Sequence, residues 1–379
     1  MSELTIPWVE VSDGSSWKLQ SCNLNGAENF HALFVARIEI KPFAYLENLK
    51  WGFSSESMLQ GAMARQRLFV EAQQLVDDLA DSEPLNRRTF ALRCLRDPST
   101  TELQMVILGK VSAANSDAAC SGALEYWQEI NSIFPYDYVL VPARTKDDFI
   151  VFSGQSILDK DLSCLSVAEI SRFEGVLANT SASLYLLGRW GTTSTANEQI
   201  WRALAGCNTP VLLNIIFRPT ILFDYETMGI TEMAKTAQTI FDDKSFPNIQ
   251  REAQWINNAY NTRLNQLRYP FLTQIHLIGQ GGIPEYLPRV IGSALVQTNE
   301  NLPIEPRYQI KKISNKDSVQ SLIRDVRWLE LSLSQTIADS RFARMHYLVD
   351  TNEADTLFRL PFPPKTGIPN VSFAIAKTV

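Results

Sequence analysis

The stretch FLTQIHLIGQGGIPEYLPRVIGSALV, residues 271–296, is the one from which the fold is read. Residues 273–278 are mostly apolar, with β-branched residues among them, and read as a strand that stops at Gly279. Gly281 and Gly282 permit backbone angles closed to other residues, and Pro284 suits the first turn of a helix. Leu287, Val290, Ile291 and Ala294 then recur at helical spacing and mark one buried face. A similar unit occurs at residues 103–124, LQMVILGKVSAANSDAACSGAL. Gly109 and Gly279 are 170 residues apart, and so are Gly122 and Gly292. A weaker echo, SLYLLGRWG, starts at Ser183 and reaches its glycine at Gly188. A recurring strand, glycine and helix predicts a mixed α/β chain of two related lobes.

Working outward, residues 32–40 are apolar on both faces, as a strand buried on both sides requires. A short strand is expected at residues 8–11. A helix is expected at residues 54–81, striped by Met58, Ala62, Leu68, Ala72, Leu75 and Leu79. Residues 88–95 and 103–111 form a hairpin across the turn DPSTT, and a helix follows at 116–133. A second strand pair is expected at 138–141 and 149–152, around the charged turn TKDD. Periodicity breaks at residues 157–166, which mark the boundary between lobes. Beyond it come a helix at 167–177, a strand at 184–187, a polar loop, a short helix through Ala205 and the apolar strand PVLLNIIFRPT. Residues 225–267 read as a helical hairpin broken at 245–248, an insertion in the second lobe. Lys311 and Lys312 make residues 308–313 an edge strand, and residues 319–338 are amphipathic. The expected domains are an N-terminal lobe at 1–157, a second lobe at 158–349 and a proline-rich tail at 350–379.

With 379 residues, 45% hydrophobic and 20% charged, the chain has the composition of an ordinary globular protein with a sizeable core. A net charge of −6 argues against gripping nucleic acid with the whole surface, and leaves a local basic groove open. No apolar run is long enough to span a membrane, and the opening MSELTIPWVEVSDGSS lacks the basic region of a signal peptide. Five scattered cysteines oppose a disulfide framework and fit reduced thiols in the cytoplasm.

Reactive groups are thin. His31, His276 and His346 lie far apart and form no metal-binding pattern. Gly109-Lys110 resembles the end of a phosphate-binding loop, but Gln104 stands where that loop needs glycine and Val111 where it needs Ser or Thr. Gly279 and Gly281 match the first two glycines of a dinucleotide fingerprint, and Pro284 occupies the third position. Arg189 beside Trp190, and Arg341 with Arg344, are the cations placed to reach phosphates, against a packed or stacked role. No catalytic, cofactor or metal site is therefore expected, and the chain reads as a non-enzyme.

Three stretches carry a family resemblance: TFALRCLRDPSTTELQMVILGKVSA with FPYDY after the next helix; AEISRFEGVL, YLLGRW and PVLLNIIFRPTIL; and NEADTLFRLPFPP. Their order resembles the region that precedes the motor in HerA/FtsK-type ATPases, including those of conjugative transfer. In that family the proline-rich segment leads into a RecA-like motor with Walker sequences, and a chain ending at Val379 carries none. The resemblance implies a scaffold or assembly subunit that associates with a separate ATPase or accessory protein, in conjugation or phage defence, with a homo-oligomer also open. Leu357, Phe358, Leu360 and Phe362 are the expected interface, docking on this body or on a neighbouring subunit. The alternative is a small-molecule or nucleotide-binding enzyme built on the duplicated fold.

Overall fold

A computed structural model describes residues 6–13, 30–41, 88–177, 184–191, 196–243, 249–267, 269–296, 308–333, 340–360 and 371–376. In chain order the first elements are β1 (Glu10–Asp13), β2 (Phe30–Ile40), β3 (Arg88–Arg96), β4 (Glu102–Ala113), α1 (Ser116–Ile133), β5 (Tyr138–Pro142), α2 (Lys146–Ser153) and α3 (Gln155–Leu158). Next come β6 (Leu165–Arg172), β7 (Glu174–Leu177), β8 (Leu184–Leu187), α4 (Ala196–Ala205), β9 (Val211–Pro219), α5 (Asp224–Asp242) and α6 (Gln250–Gln266). The last are β10 (Phe271–Gln280), α7 (Tyr286–Leu295), β11 (Tyr308–Ile313), α8 (Lys316–Arg327), β12 (Leu348–Val349), α9 (Thr351–Leu357) and β13 (Ser372–Phe373).

Eleven strands form one sheet in the order β1-β2-β4-β3-β9-β10-β6-β11, with β5 beside β2, β12 on β10 and β13 on β4. All pairings are antiparallel except that of β13 with β4. β7 and β8 make a separate ribbon. The two strands expected to be central, β4 and β10, are both interior, and each is followed by a helix.

The register makes the duplication concrete. Gly109 lies between Phe34 of β2 and Phe90 of β3; Gly279 lies between Ser166 of β6 and Val211 of β9. Outside them, Ile38 of β2 pairs with Leu140 of β5, and Ile170 of β6 pairs with Ile310 of β11. Leu140 and Ile310 are again 170 residues apart, as are Lys146 and Lys316, which open α2 and α8. Each half thus runs edge strand, β2 or β6, β4 or β10, then β3 or β9. The halves meet where β3 pairs with β9, and there Arg93 faces Asn214. Arg93 pairs with Val106 and Asn214 with His276, themselves 170 residues apart, so this pair sits on the local two-fold relation. The two expected lobes therefore share one continuous sheet.

Helices cover both faces. Phe34, Phe90, Ile107, Leu213 and Leu277 belong to a core shared with α1, α4, α7 and α9. Val35, Leu108, Leu212 and Ile216 belong to the opposite core, with α2, α3, α5, α6 and α8. Burial from both sides explains the near-continuous apolar runs in these strands. The paired helices α5 and α6 are the expected hairpin, lying in the second half between β9 and β10.

Two local readings need correction. Residues 149–152 are not a strand but part of α2. Thr145 accepts from the Asp148 backbone and Asp148 from Thr145, a capping box that makes TKDD a helix start. Residues 167–177 are not a helix but β6 and β7, because a short run buried on both faces carries no strand period. Of the amphipathic residues 319–338, those up to Arg327 lie in α8, and Leu329 follows at φ 50°. The helix expected at 54–81 lies outside the described residues. Among those described, no helix is long and apolar enough to cross a membrane.

Candidate functional site

Of the expected interface residues, Leu357, Phe358 and Leu360 are buried in the core of their own chain, while Phe362 lies outside the described residues. The Phe358 ring packs 5.9 Å from Phe90 and 6.1 Å from Phe217, which stack on each other at 4.9 Å. Phe90 and Phe217 face each other in the β3–β9 ladder, so Phe358 sits over the seam between halves. Of the two docking surfaces open to this segment, the chain's own body takes these three side chains.

What seats them is a buried ion network. Asp350 caps α9, accepting from the Glu353 backbone at 2.9 Å, while Glu353 accepts from the Asp350 backbone at 3.3 Å. The Glu353 carboxylate also takes Arg172 at 2.8 Å and the Trp190 backbone at 3.1 Å, with Arg263 at 3.6 Å. Arg189 donates to Asp350 at 3.0 Å and to Gln266 at 2.8 Å. Arg172 further donates to the Met345, His346 and Leu348 carbonyls, and Arg263 to that of Leu348. Burial alone would raise the Glu353 carboxyl, but the three guanidinium charges outweigh it and hold it below the usual range. Asp350 is raised, by burial and by the neighbouring Glu353 charge.

A second network lies beneath the β3–β9 seam. Arg93, fully buried, donates to Asn214 Oδ1 at 2.7 Å, to the Ser153 carbonyl at 2.6 Å and to the Val326 carbonyl. Those carbonyls close α2 and α8, the counterpart helices, so one guanidinium at the seam satisfies the C-terminal end of one helix from each half. Among the described residues no carboxylate contacts it, and burial, with the Arg327 charge added, lowers its pKa. After the left-handed Leu329, Glu330 turns back onto the sheet to pair with Lys110 of β4 and, at 2.9 Å, Arg218 of β9. Burial would raise Glu330, yet the Lys110 and Arg218 charges hold it at about 2. Gln274 fixes the same turn, donating to the Ser332 carbonyl at 2.7 Å and accepting from its backbone at 3.2 Å.

The remaining candidates are structural in their settings. Gly109 and Lys110 are mid-strand: a Cβ on Gly109 would lie 2.2 Å from Phe34 Cζ, and Lys110 is held by Glu330. The Gly279 turn is closed on itself, since a Cβ there would meet the Gly282 carbonyl oxygen at 2.6 Å. Arg341 pairs with Glu232, and Arg344 pairs with Glu226 at 2.7 Å while lying 4.0 Å over Phe223. His31 meets Ser112 at 2.8 Å, and His346 lies 3.2 Å from Glu174. No cluster of potential metal ligands occurs among the described residues.

Sequence reasoning missed Arg93, Arg172, Arg263, Glu330 and Glu353. A trace existed for Arg93, a charge inside an alternating strand, but such a position usually faces water. The sequence matches no family model and no curated protein.

Proposed function

We propose that this chain is a non-catalytic assembly subunit, a preformed scaffold of the pre-motor type of HerA/FtsK ATPases, that works in the cytoplasm with a separate motor or accessory protein. The observation that carries this reading is the use made of NEADTLFRL, part of one of the three stretches that carry the family resemblance. Asp350 and Glu353 anchor it to Arg172, Arg189 and Arg263, and Phe358 bridges the two halves of the sheet. The strongest polar interactions are spent on fixing one body, as a scaffold with a preset docking geometry requires. Their partners are the chain's own carboxylates and carbonyls.

The test is co-expression with the HerA/FtsK-type ATPase encoded nearest to its gene, followed by size-exclusion chromatography with light scattering. A complex of defined mass, with altered ATPase rate, is the expected result. If the two proteins elute separately and native mass spectrometry finds a small molecule retained by the purified chain, the enzyme reading replaces this one.

A further inference from the structure

The charge arrangement around the C-terminal segment suggests more than static packing. The cations come from the body: buried Arg172 on β6 and Arg263 on α6, and half-buried Arg189 after β8. The carboxylates that neutralise them, Asp350 and Glu353, come from the segment itself. Residues 343–349 have little regular structure, and the Met345, His346 and Leu348 carbonyls are satisfied by Arg172 and Arg263. The segment's ladder with β10 is short, pairing only Leu348 and Val349. The central strands β3 and β9 are laddered on both sides over seven to nine residue pairs each.

Removing either side of this arrangement strands the other. With the segment away, two fully or nearly buried guanidiniums lose their acceptors; without the guanidiniums, the Met345, His346 and Leu348 carbonyls lose their side-chain donors and the two carboxylates keep only backbone ones. The parts must therefore come and go together, and they hold fewer main-chain bonds than the sheet beneath them. We propose that residues 340–360 form a clasp that opens as a single cooperative unit before the sheet unfolds, with Glu353 as its latch. Opening exposes Leu357, Phe358 and Leu360 and uncovers their aromatic seat on Phe90, Phe217 and Phe271. The clasp does not depend on the proposed assembly role.

Native-state hydrogen exchange with mass spectrometry, on the intact chain, tests this. In the wild type, peptides from residues 343–358 should exchange together, and faster than those of β3 and β9. Glu353→Gln keeps the side chain's shape but removes the charge facing Arg172 and Arg263. It should speed exchange of those peptides about tenfold or more while leaving β3 and β9 nearly unchanged. Exchange of clasp and central strands at one common rate in the wild type would overturn the proposal, and so would acceleration of all peptides alike in the variant. If Glu353→Gln does not fold, the wild-type comparison still decides.

Discussion

At the scale of single residues, the decisive group is a cation that no carboxylate among the described residues neutralises. Arg93 is tolerated in the interior because three fixed acceptors replace its hydration. Replacing it with Met should cost roughly 3 kcal/mol, because two helix-end carbonyls and the Asn214 amide lose their donor at once. Adding Asn214→Leu to that variant should recover part of the loss, which urea denaturation of the four proteins of the cycle would measure. Gly109 makes a different demand. With Phe34 Cζ 2.2 Å from where a Cβ would stand, Gly109→Ala forces the ring or strand to shift and should destabilise by about 1–3 kcal/mol. An unchanged denaturation midpoint would show that the ring moves aside freely.

At the scale of elements, the paired helices α2 and α8 carry the clearest mark of duplication in their caps. Thr145 accepts from the Asp148 backbone, and Asn315, its counterpart 170 residues on, accepts from those of Asp317 and Ser318. Different side chains do the same job at the same place, satisfying first-turn N–H groups. Thr145→Ala and Asn315→Ala should therefore each cost about 1 kcal/mol, by thermal or urea unfolding. The helices then diverge: α8 continues to Arg327, whereas Gly154, at φ 73°, breaks the first-half run between α2 and α3. That break keeps the Ser153 carbonyl within reach of Arg93, while in the second half Val326 provides the corresponding acceptor.

At the scale of the whole molecule, buried titratable groups should make the fold acid-labile. His31 is held at about 4 by burial and then by the Lys110 charge, and His276 at about 4 by burial, against an ordinary 6.5. Unfolded chains therefore bind protons as pH falls below about 6.5 while the folded form does not. The stability these groups allow is full above that pH and drains away towards pH 4, by about 1.4 kcal/mol per pH unit for each histidine. Glu330, at about 2 against 4.5, contributes stability that is complete above pH 4.5 and is lost as pH falls towards 2. Urea midpoints followed across this range should decline in two stages. His276→Gln, if it folds, should flatten the first of them; an unaltered slope would mean that this histidine titrates normally in the folded protein.

By itself the sequence determined the bricks. Local periodicity and chain-breaking residues placed β3, β4, α1, β9 and β10 within a residue or two, because each is long, apolar on a defined face and bounded by turn or capping residues. The interval between Gly109 and Gly279 gave away the repeat, although the two glycines make room for different neighbours, the Phe34 ring in one half and the Gly282 carbonyl in the other. Where runs were short the reading failed: residues 149–152 and 167–177 each lack enough turns to separate a helix period from a strand period. Only the tertiary structure could place Arg93 opposite Asn214, Glu330 against Lys110 and Glu353 among three arginines. These partners are separated by 121 to 220 residues for the first two pairs, and no local pattern links them. The tail shows the same division. Its sequence announced apolar side chains in need of cover, but their cover is a seam between strands β3 and β9, created only when the two halves of the sheet come together.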